Sequence, residues 1–495
     1  MMYNVKLLFF LLLGSMVMTH ESELRASVAT NLNKSSVRHL EKHFDGPLRV
    51  HPENPRYFTN QSGKVVYLTG SHTCETFQEN PADDTPAFDY EKFLLFLEER
   101  NHNFVRLWVW ESPGRSNPGG TTERFGPMPY LQTGPGFTLD GSPKYDLTQW
   151  NPEYFDRLLQ RVEAARNHGI YVGVQLFQGY SVAGKPDSTA GNPWHAHPFN
   201  KSNNINGIDG DSNSDNSGYE VHTLKLPAIT ALQKAYVKKV IETVGDFENV
   251  LFEISNESHG ASLEWQNHLA QYIREVEKSR KMQHPVWISY AFDETEGSCS
   301  NQQLFESTAD AISPGPEADF LNDPALSKGE KVILIDSDHL RQGEQNEIWV
   351  WKSFARGHNP LFRDCYQSRT ANGALIVAPE FKTVRKAMGD TRRFAERMDL
   401  AQMLPVDDSI ISSTRYCLAK PGSEYLVFQP DSAPFTIRLE AASYTMEWYH
   451  PLTGETKRQG TIKLSSARYL VTPPWKGAAV LYLKKRGNTK KSQSS

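Results

Sequence analysis

Between residues 47 and 364 the chain alternates short, nearly continuous apolar runs with longer segments whose apolar residues recur every three or four positions. Few folds accept that alternation. The runs KVVYLTGSH (64–72), NFVRLWVW (103–110), GIYVGVQLF (169–177), NVLFEISNE (249–257), PVWISYAF (285–292), ADAISP (309–314), KVILIDSD (331–338) and NPLFRD (359–364) read as eight strands. A short capping strand is expected around Tyr57, ahead of the first. DYEKFLLFLEERNHN, NPEYFDRLLQRVEAARNHG, ALQKAYVKKVIETVGDF and EIWVWKSFARGH have helical spacing and fall between strands. Strands that alternate with helices pair in parallel, and eight such units close into an α/β fold, the (β/α)8 TIM barrel, over residues 46–404.

The period changes at Pro405. A helix, VRKAMGDTRRFAERMDLAQM, leads into STRYCLAK, EYLVFQP, FTIRLE, TMEWYH, TIKLS, RYLVT and AAVLYLKK, which alternate apolar and polar residues and are separated by turns such as PGS, PDSAP and PLTGE. Residues 405–485 therefore read as a small all-β sandwich. Its aromatics Trp448, Tyr449 and Trp475 are expected in core or interface packing, with polymer binding as the other use.

A length of 495 residues accommodates a barrel and one further domain, and 10 Trp, 20 Tyr and 25 Phe supply a core with aromatics to spare for a cleft. The formal charge of -5 gives no support to a nucleic-acid partner. The N-terminal run from Leu7 to Met18 is too short to span a bilayer and follows one Lys, so residues 1–20 read as a signal peptide and 21–45 as a linker. The basic tail 486–495 reads as disordered. Export permits disulfides among Cys74, Cys299, Cys365 and Cys417, although their spacing defines no framework. No C-x-x-C or H-E-x-x-H spacing occurs, GIDGDSNSD lacks the closing Glu of a calcium loop, and neither metal nor cofactor is expected.

Barrel enzymes carry their chemistry at the C-terminal ends of the strands. There the sequence places Gly70, Ser71 and His72, Arg106 with Trp108 and Trp110, Gln175 and Gln178, Asn256 and Glu257, Tyr290, Ser313, Asp336 and Asp338 with His339, and Asp364. A carboxylic acid at a buried strand end, directly after a carboxamide, suits a general acid in a sugar-binding cleft, which makes Glu257 the candidate acid. Asp336 and Asp338, two apart on one strand face, are the candidate partners. Glu253 reads as a buried scaffold residue held by an ion pair or a hydrogen bond. The long loop after the third strand offers Trp194 as a stacking platform, with His195, His197 and Asn203 for hydrogen bonds.

NVLFEISNES together with VRLWVW resembles the cellulase-like and apiosidase-like glycoside hydrolases over most of residues 47–400. The resemblance implies Glu257 as acid/base, Asn256 as the hydrogen-bond partner of a sugar 2-hydroxyl, and Arg106 as the cation that keeps the nucleophile ionised. The segments EWYHPLTGE and PPWKGAAVLYL resemble the sandwich named the collagen-binding domain. One departure stands out. The group's nucleophile is a Glu after strand seven, whereas this strand ends IDSDH. Counting from Lys331 matches Asp336 to it, and the Asp-x-acid pattern matches Asp338, which this reading takes as the partner, with Asp336 orienting it or binding substrate. The expected protein is a secreted monomeric hydrolase that cleaves O-glycosidic bonds of a poly- or oligosaccharide by a retaining route. The alternative is a non-catalytic carbohydrate- or matrix-binding protein that keeps the barrel.

Overall fold

The computed structural model describes residues 44–79, 87–117, 120–183, 191–293, 296–317, 323–340, 346–370 and 374–486. The segments read as signal peptide, as linker up to residue 43, and as basic tail from residue 487 lie outside them. Eight parallel strands form one sheet: β1 (Gly70–His72), β2 (Phe104–Leu107), β3 (Tyr171–Gln178), β4 (Val250–Asn256), β5 (Val286–Ser289), β6 (Ala311–Ser313), β7 (Val332–Asp336) and β8 (Asn359–Arg363). Their order is β1-β8-β7-β6-β5-β4-β3-β2. Apart from Arg363 every residue of these strands is buried, as expected of strands covered on both faces.

The gap between β1 and β2 is closed by Asn103. Its N–H donates to the Thr69 carbonyl at 3.0 Å. Its Oδ1 accepts from the Thr69 N–H at 3.0 Å, and its Nδ2 donates to the Tyr67 carbonyl at 2.9 Å. A Cβ on Gly70 would stand 1.8 Å from the Phe104 carbonyl oxygen, so only glycine lets the two strands approach this closely. The outer layer consists of α1 (Tyr90–Glu99), α2 (Pro152–Asn167), α3 (Pro227–Val244), α4 (Leu263–Glu277), α5 (Asn301–Glu306), α6 (Glu347–Ala355) and α7 (Lys382–Arg397).

Two expectations need correction. The run 64–72 is not one strand: Val65–Val66 joins Phe58–Thr59 and Arg49–Val50 in a separate antiparallel sheet, and only Gly70–His72 enters the barrel. Between them the Leu68 N–H bonds to the Asn359 side chain and the Thr69 hydroxyl to the Pro360 carbonyl, so side-chain contacts replace the ladder there. The segment after β2 also carries two hairpins that the sequence reading left out, Gly114–Asn117 with Gly120–Arg124 and Tyr130–Phe137 with Pro143–Trp150.

The C-terminal region contains β9 (Leu404–Val406), β10 (Cys417–Lys420), β11 (Glu424–Gln429), β12 (Phe435–Arg438), β13 (Ala442–Tyr449), β14 (Thr456–Leu464), β15 (Arg468–Val471) and β16 (Ala479–Lys485). Six of them form an antiparallel sheet ordered β9-β10-β11-β16-β13-β14, and β12 pairs with β15. Period-two alternation splits the sheet between two cores. Cys417, Ala419, Tyr425, Val427, Trp448, Leu481 and Leu483 pack with Phe435 and Ile437 of β12. Leu418, Leu426, Phe428, Tyr449, Val480 and Tyr482 face the other way and join the core of the barrel. There Trp351 of α6 stacks on Phe428, with ring centroids 6.1 Å apart, and Phe394 of α7 meets Tyr449 at 5.4 Å. Lys386 of α7 donates to the Tyr449 hydroxyl at 2.8 Å. Trp448 and Tyr449 thus serve in packing. All four cysteines are free thiols.

Deleting residues 405–495 should yield an aggregated product, because Trp351, Phe394 and their neighbours would lose their cover. Gel filtration checks this, and a monodisperse truncated barrel would contradict it. Phe428→Ala in the full chain should cost about 3–5 kcal/mol in denaturant unfolding, since it opens a cavity in that shared core.

Candidate active site

Arg106 in the middle of β2 lies fully buried inside the barrel, where its guanidinium joins three strands and Glu253 extends the cluster to a fourth. It grips Glu253 of β4 with two bonds, Nε to Oε2 at 2.6 Å and Nη2 to Oε1 at 2.5 Å. Nη2 also donates to Asn256 Oδ1 at 2.8 Å, and Nη1 to Asp336 Oδ2 of β7 at 3.0 Å. The Ser289 hydroxyl of β5 donates to Glu253 Oε1 at 2.6 Å. The planar fork of arginine suits such bidentate recognition, and a buried charge is tolerated only when paired in this way. Burial opposes the Arg106 charge, but Glu253 and Asp336 outweigh it and hold the guanidinium above its usual range. For Glu253 burial pushes the carboxyl up, and Arg106 works against that rise.

The strand-seven aspartates differ in environment. β7 ends at Asp336, and Ser337–His339 form a single 3-10 turn that Asp336 caps by accepting the Asp338 N–H at 3.0 Å. The two residues therefore do not share a strand face, contrary to the parity expected from sequence. Asp336 is engaged by Arg106, and His72 Nε2 stands 3.7 Å from its Oδ2. The His72 ring lies against Trp108 with centroids 5.6 Å apart. Burial, reinforced by the Arg106 charge, drives its pKa well below the ordinary value, so the imidazole is neutral. Asp338 instead pairs through Oδ1 with Arg363 Nη1 at 2.9 Å, while its buried Oδ2 accepts no hydrogen bond from the described residues.

Glu257 follows β4 directly, is half-buried, and has φ of +50°. A non-glycine residue in the left-handed region costs about 1–3 kcal/mol and persists only where its surroundings impose it. One constraint is Gly179, just past the end of β3, where a Cβ would stand 2.1 Å from the Glu257 carbonyl oxygen. Arg363 at the end of β8 pairs with Asp338 and lies near enough to Glu257 to feel its charge. Burial opposes its charge, but Asp338, with smaller contributions from Cys74 and Glu257, raises its pKa above the usual range. Its side chain is 46% exposed and lies over the Trp108 ring.

Other expected site residues take up varied positions. Asn256 stands in register with Gln178, and its Nδ2 approaches Gln178 Oε1 at 3.4 Å. Trp110 stacks on Phe125 at 4.5 Å beside Tyr180. Tyr290 is buried, with its N–H on the Ser313 carbonyl. Gln175 is withdrawn from the cleft, its amide spent on the Val109 and Phe177 carbonyls. Trp194 offers no stacking platform: it is 0% exposed and packs with Tyr130, Val182, Phe199 and Val221 as the core of the long loop. His197 is buried too, its Nδ1 accepting the Phe199 N–H and its Nε2 lying 3.6 Å from Glu111. The His195 carbonyl accepts from Asn203 at 2.7 Å. Asp364 is consumed by a bidentate pair with Arg385 of α7. The His339 side chain lies outside the described residues. Among those residues, no three His, Cys, Asp or Glu side chains group as a metal site.

Sequence reasoning passed over Arg363, Glu111 and His222. Arg363 adjoins Asp364, which was chosen at the strand end in its place. Glu111 and His222 carry no local signal, since two residues that meet at 2.9 Å lie 111 positions apart in sequence.

The chain matches the model of a domain of unknown function, DUF6298, over residues 115–304. No curated protein matches it. One solved structure, described as a glycoside hydrolase, is similar with a TM-score of 0.56 at 13% identity, over 89% of this chain and 97% of that one. A family 5 glycoside hydrolase from Bacteroides vulgatus ATCC 8482 is similar with a TM-score of 0.56 at 15% identity, over 89% and 93%. At such identities the likeness is one of fold: an eight-stranded parallel barrel with antiparallel sheets after it.

Proposed function

We propose that the protein is a secreted glycoside hydrolase that cleaves O-glycosidic bonds of a poly- or oligosaccharide, with Glu257 as acid/base and Asp338 as nucleophile in a retaining mechanism. The observation that carries this reading is the division of labour between the aspartates. Asp336 spends its charge on Arg106, whereas Asp338 keeps one oxygen that accepts no hydrogen bond from the described residues and pairs with Arg363, which also feels the Glu257 charge. A nucleophile needs such an available oxygen, held ionised by a neighbouring cation. Arg106 then acts at one remove, orienting Asp336, which in turn holds the turn that presents Asp338. Asn256, with Oδ1 fixed by Arg106, would turn its Nδ2 to the sugar 2-hydroxyl.

In the first step Glu257 protonates the leaving oxygen while Asp338 attacks the anomeric carbon. In the second, water attacks the glycosyl ester and returns its proton to Glu257. The C-terminal sheet covers the barrel with its apolar face, which favours a stabilising role over an adhesive one.

Glu257→Gln should lower kcat on unactivated glycosides by about 10²–10⁴-fold without unfolding the protein. The loss should shrink on aryl glycosides with good leaving groups, and full activity on an unactivated substrate would refute the acid assignment. Asp338→Asn should abolish activity on an activated aryl glycoside, and azide or formate should restore it by standing in for the carboxylate. Rescue of Asp336→Asn in place of Asp338→Asn would reverse the two roles, and rescue of neither would count against the covalent step.

A further inference from the structure

We infer that a buried chain of three side chains, Glu111, His222 and Ser258, positions Glu257 by anchoring the residue that follows it, an inference that rests on reading Glu257 as the acid. The left-handed conformation at Glu257 needs a restraint on both sides of its peptide. Gly179 restrains one side by close backbone packing. On the other side Ser258 is 1% exposed, and its hydroxyl lies 2.6 Å from the Ser255 hydroxyl and 3.1 Å from His222 Nδ1.

The remaining links are rigid. The His222 ring stacks on Trp265 of α4 with centroids 4.4 Å apart and planes 14° from parallel. Its Nε2 meets Glu111 Oε1 at 2.9 Å. Glu111 is held in turn, because Oε1 also accepts the Gln178 N–H at 2.6 Å and its own N–H bonds to Ser181 at 3.1 Å. Burial opposes the Glu111 charge, yet His222 and His197 more than offset it and bring the pKa down to about 2. An ionised Glu111 accepts only, so His222 donates to it from Nε2, and Nδ1 is the nitrogen that meets the Ser258 hydroxyl. Held between His222 and Ser255, the Ser258 side chain fixes the backbone just after Glu257. This assigns a task to the long segment between β3 and α3. It delivers His222 beneath the acid, in place of the sugar platform expected from Trp194. It also accounts for a carboxylate buried away from the Arg106 cluster.

The test is Ser258→Ala, which removes one hydroxyl, with Ser258→Thr as the conservative control. His222→Phe is a second variant, since it keeps a ring on Trp265 and deletes both nitrogens. Because small misplacements of a catalytic group are costly, kcat on unactivated glycosides should fall about 10- to 100-fold in both deletion variants. KM should stay within roughly twofold, the loss should shrink on good-leaving-group aryl glycosides, and Ser258→Thr should recover most of the rate. A loss equal across leaving groups would indicate a merely structural role and overturn the inference. A crystal structure of Ser258→Ala gives a readout independent of turnover. The inference expects Glu257 to relax to negative φ, and a φ that stays near its original value overturns it. If φ relaxes while the wild-type chain has no glycosidase activity, the positioning stands and the assignment of Glu257 as acid falls.

Discussion

Arg106 is the contact on which the upper barrel depends. One guanidinium on β2 satisfies a carboxylate and a carboxamide on β4 and a second carboxylate on β7, and Ser289 of β5 donates to Glu253 from the fourth strand. The cluster is buried, so each partner is needed by the others. Removing one would leave a buried charge uncompensated, at a cost of about 3–5 kcal/mol. A barrel closed by backbone ladders alone would leave its strand ends free to adjust. Here three charged groups determine how far β2, β4 and β7 stand apart at the level where Glu257 and Asp338 emerge.

That arrangement has a chemical consequence. A cation that spends four of its five N–H donors on Glu253, Asp336 and Asn256 is committed to protein partners, so the cluster supports the cleft. The groups nearer the opening are Arg363, Asp338 and the half-buried Glu257. Asp336 ties the two groups together, since it pairs with Arg106 and accepts the N–H of Asp338.

The C-terminal sheet solves a different problem. Helices α6 and α7 present Trp351, Val384, Met388 and Phe394, more apolar surface than a helix facing water carries. The sheet buries it with alternate residues of β10, β11, β13 and β16, while the intervening residues build a second core against β12 and β15. One sheet with two apolar faces therefore belongs to both layers.

Much of this was legible in the sequence, because strand and helix periodicities are local properties. The eight parallel strands, the sandwich segments, the strand-end position of Glu257 and the buried pairing of Glu253 all follow from runs of ten or twenty residues. Local patterning could not say where the side chains of the long β3 to α3 segment would go. Trp194 reads as a platform in an Asn- and Gly-rich loop, yet the segment folds on itself and needs a core of its own. Nor could it divide the roles of Asp336 and Asp338, since a 3-10 turn begins where the apolar run still suggests a strand. The meeting of Glu111 with His222, of Asp338 with Arg363, and of Ser258 with His222 was decided only by tertiary structure. Such contacts join residues distant in sequence, and a hydrogen bond or ion pair leaves no periodic trace along the chain.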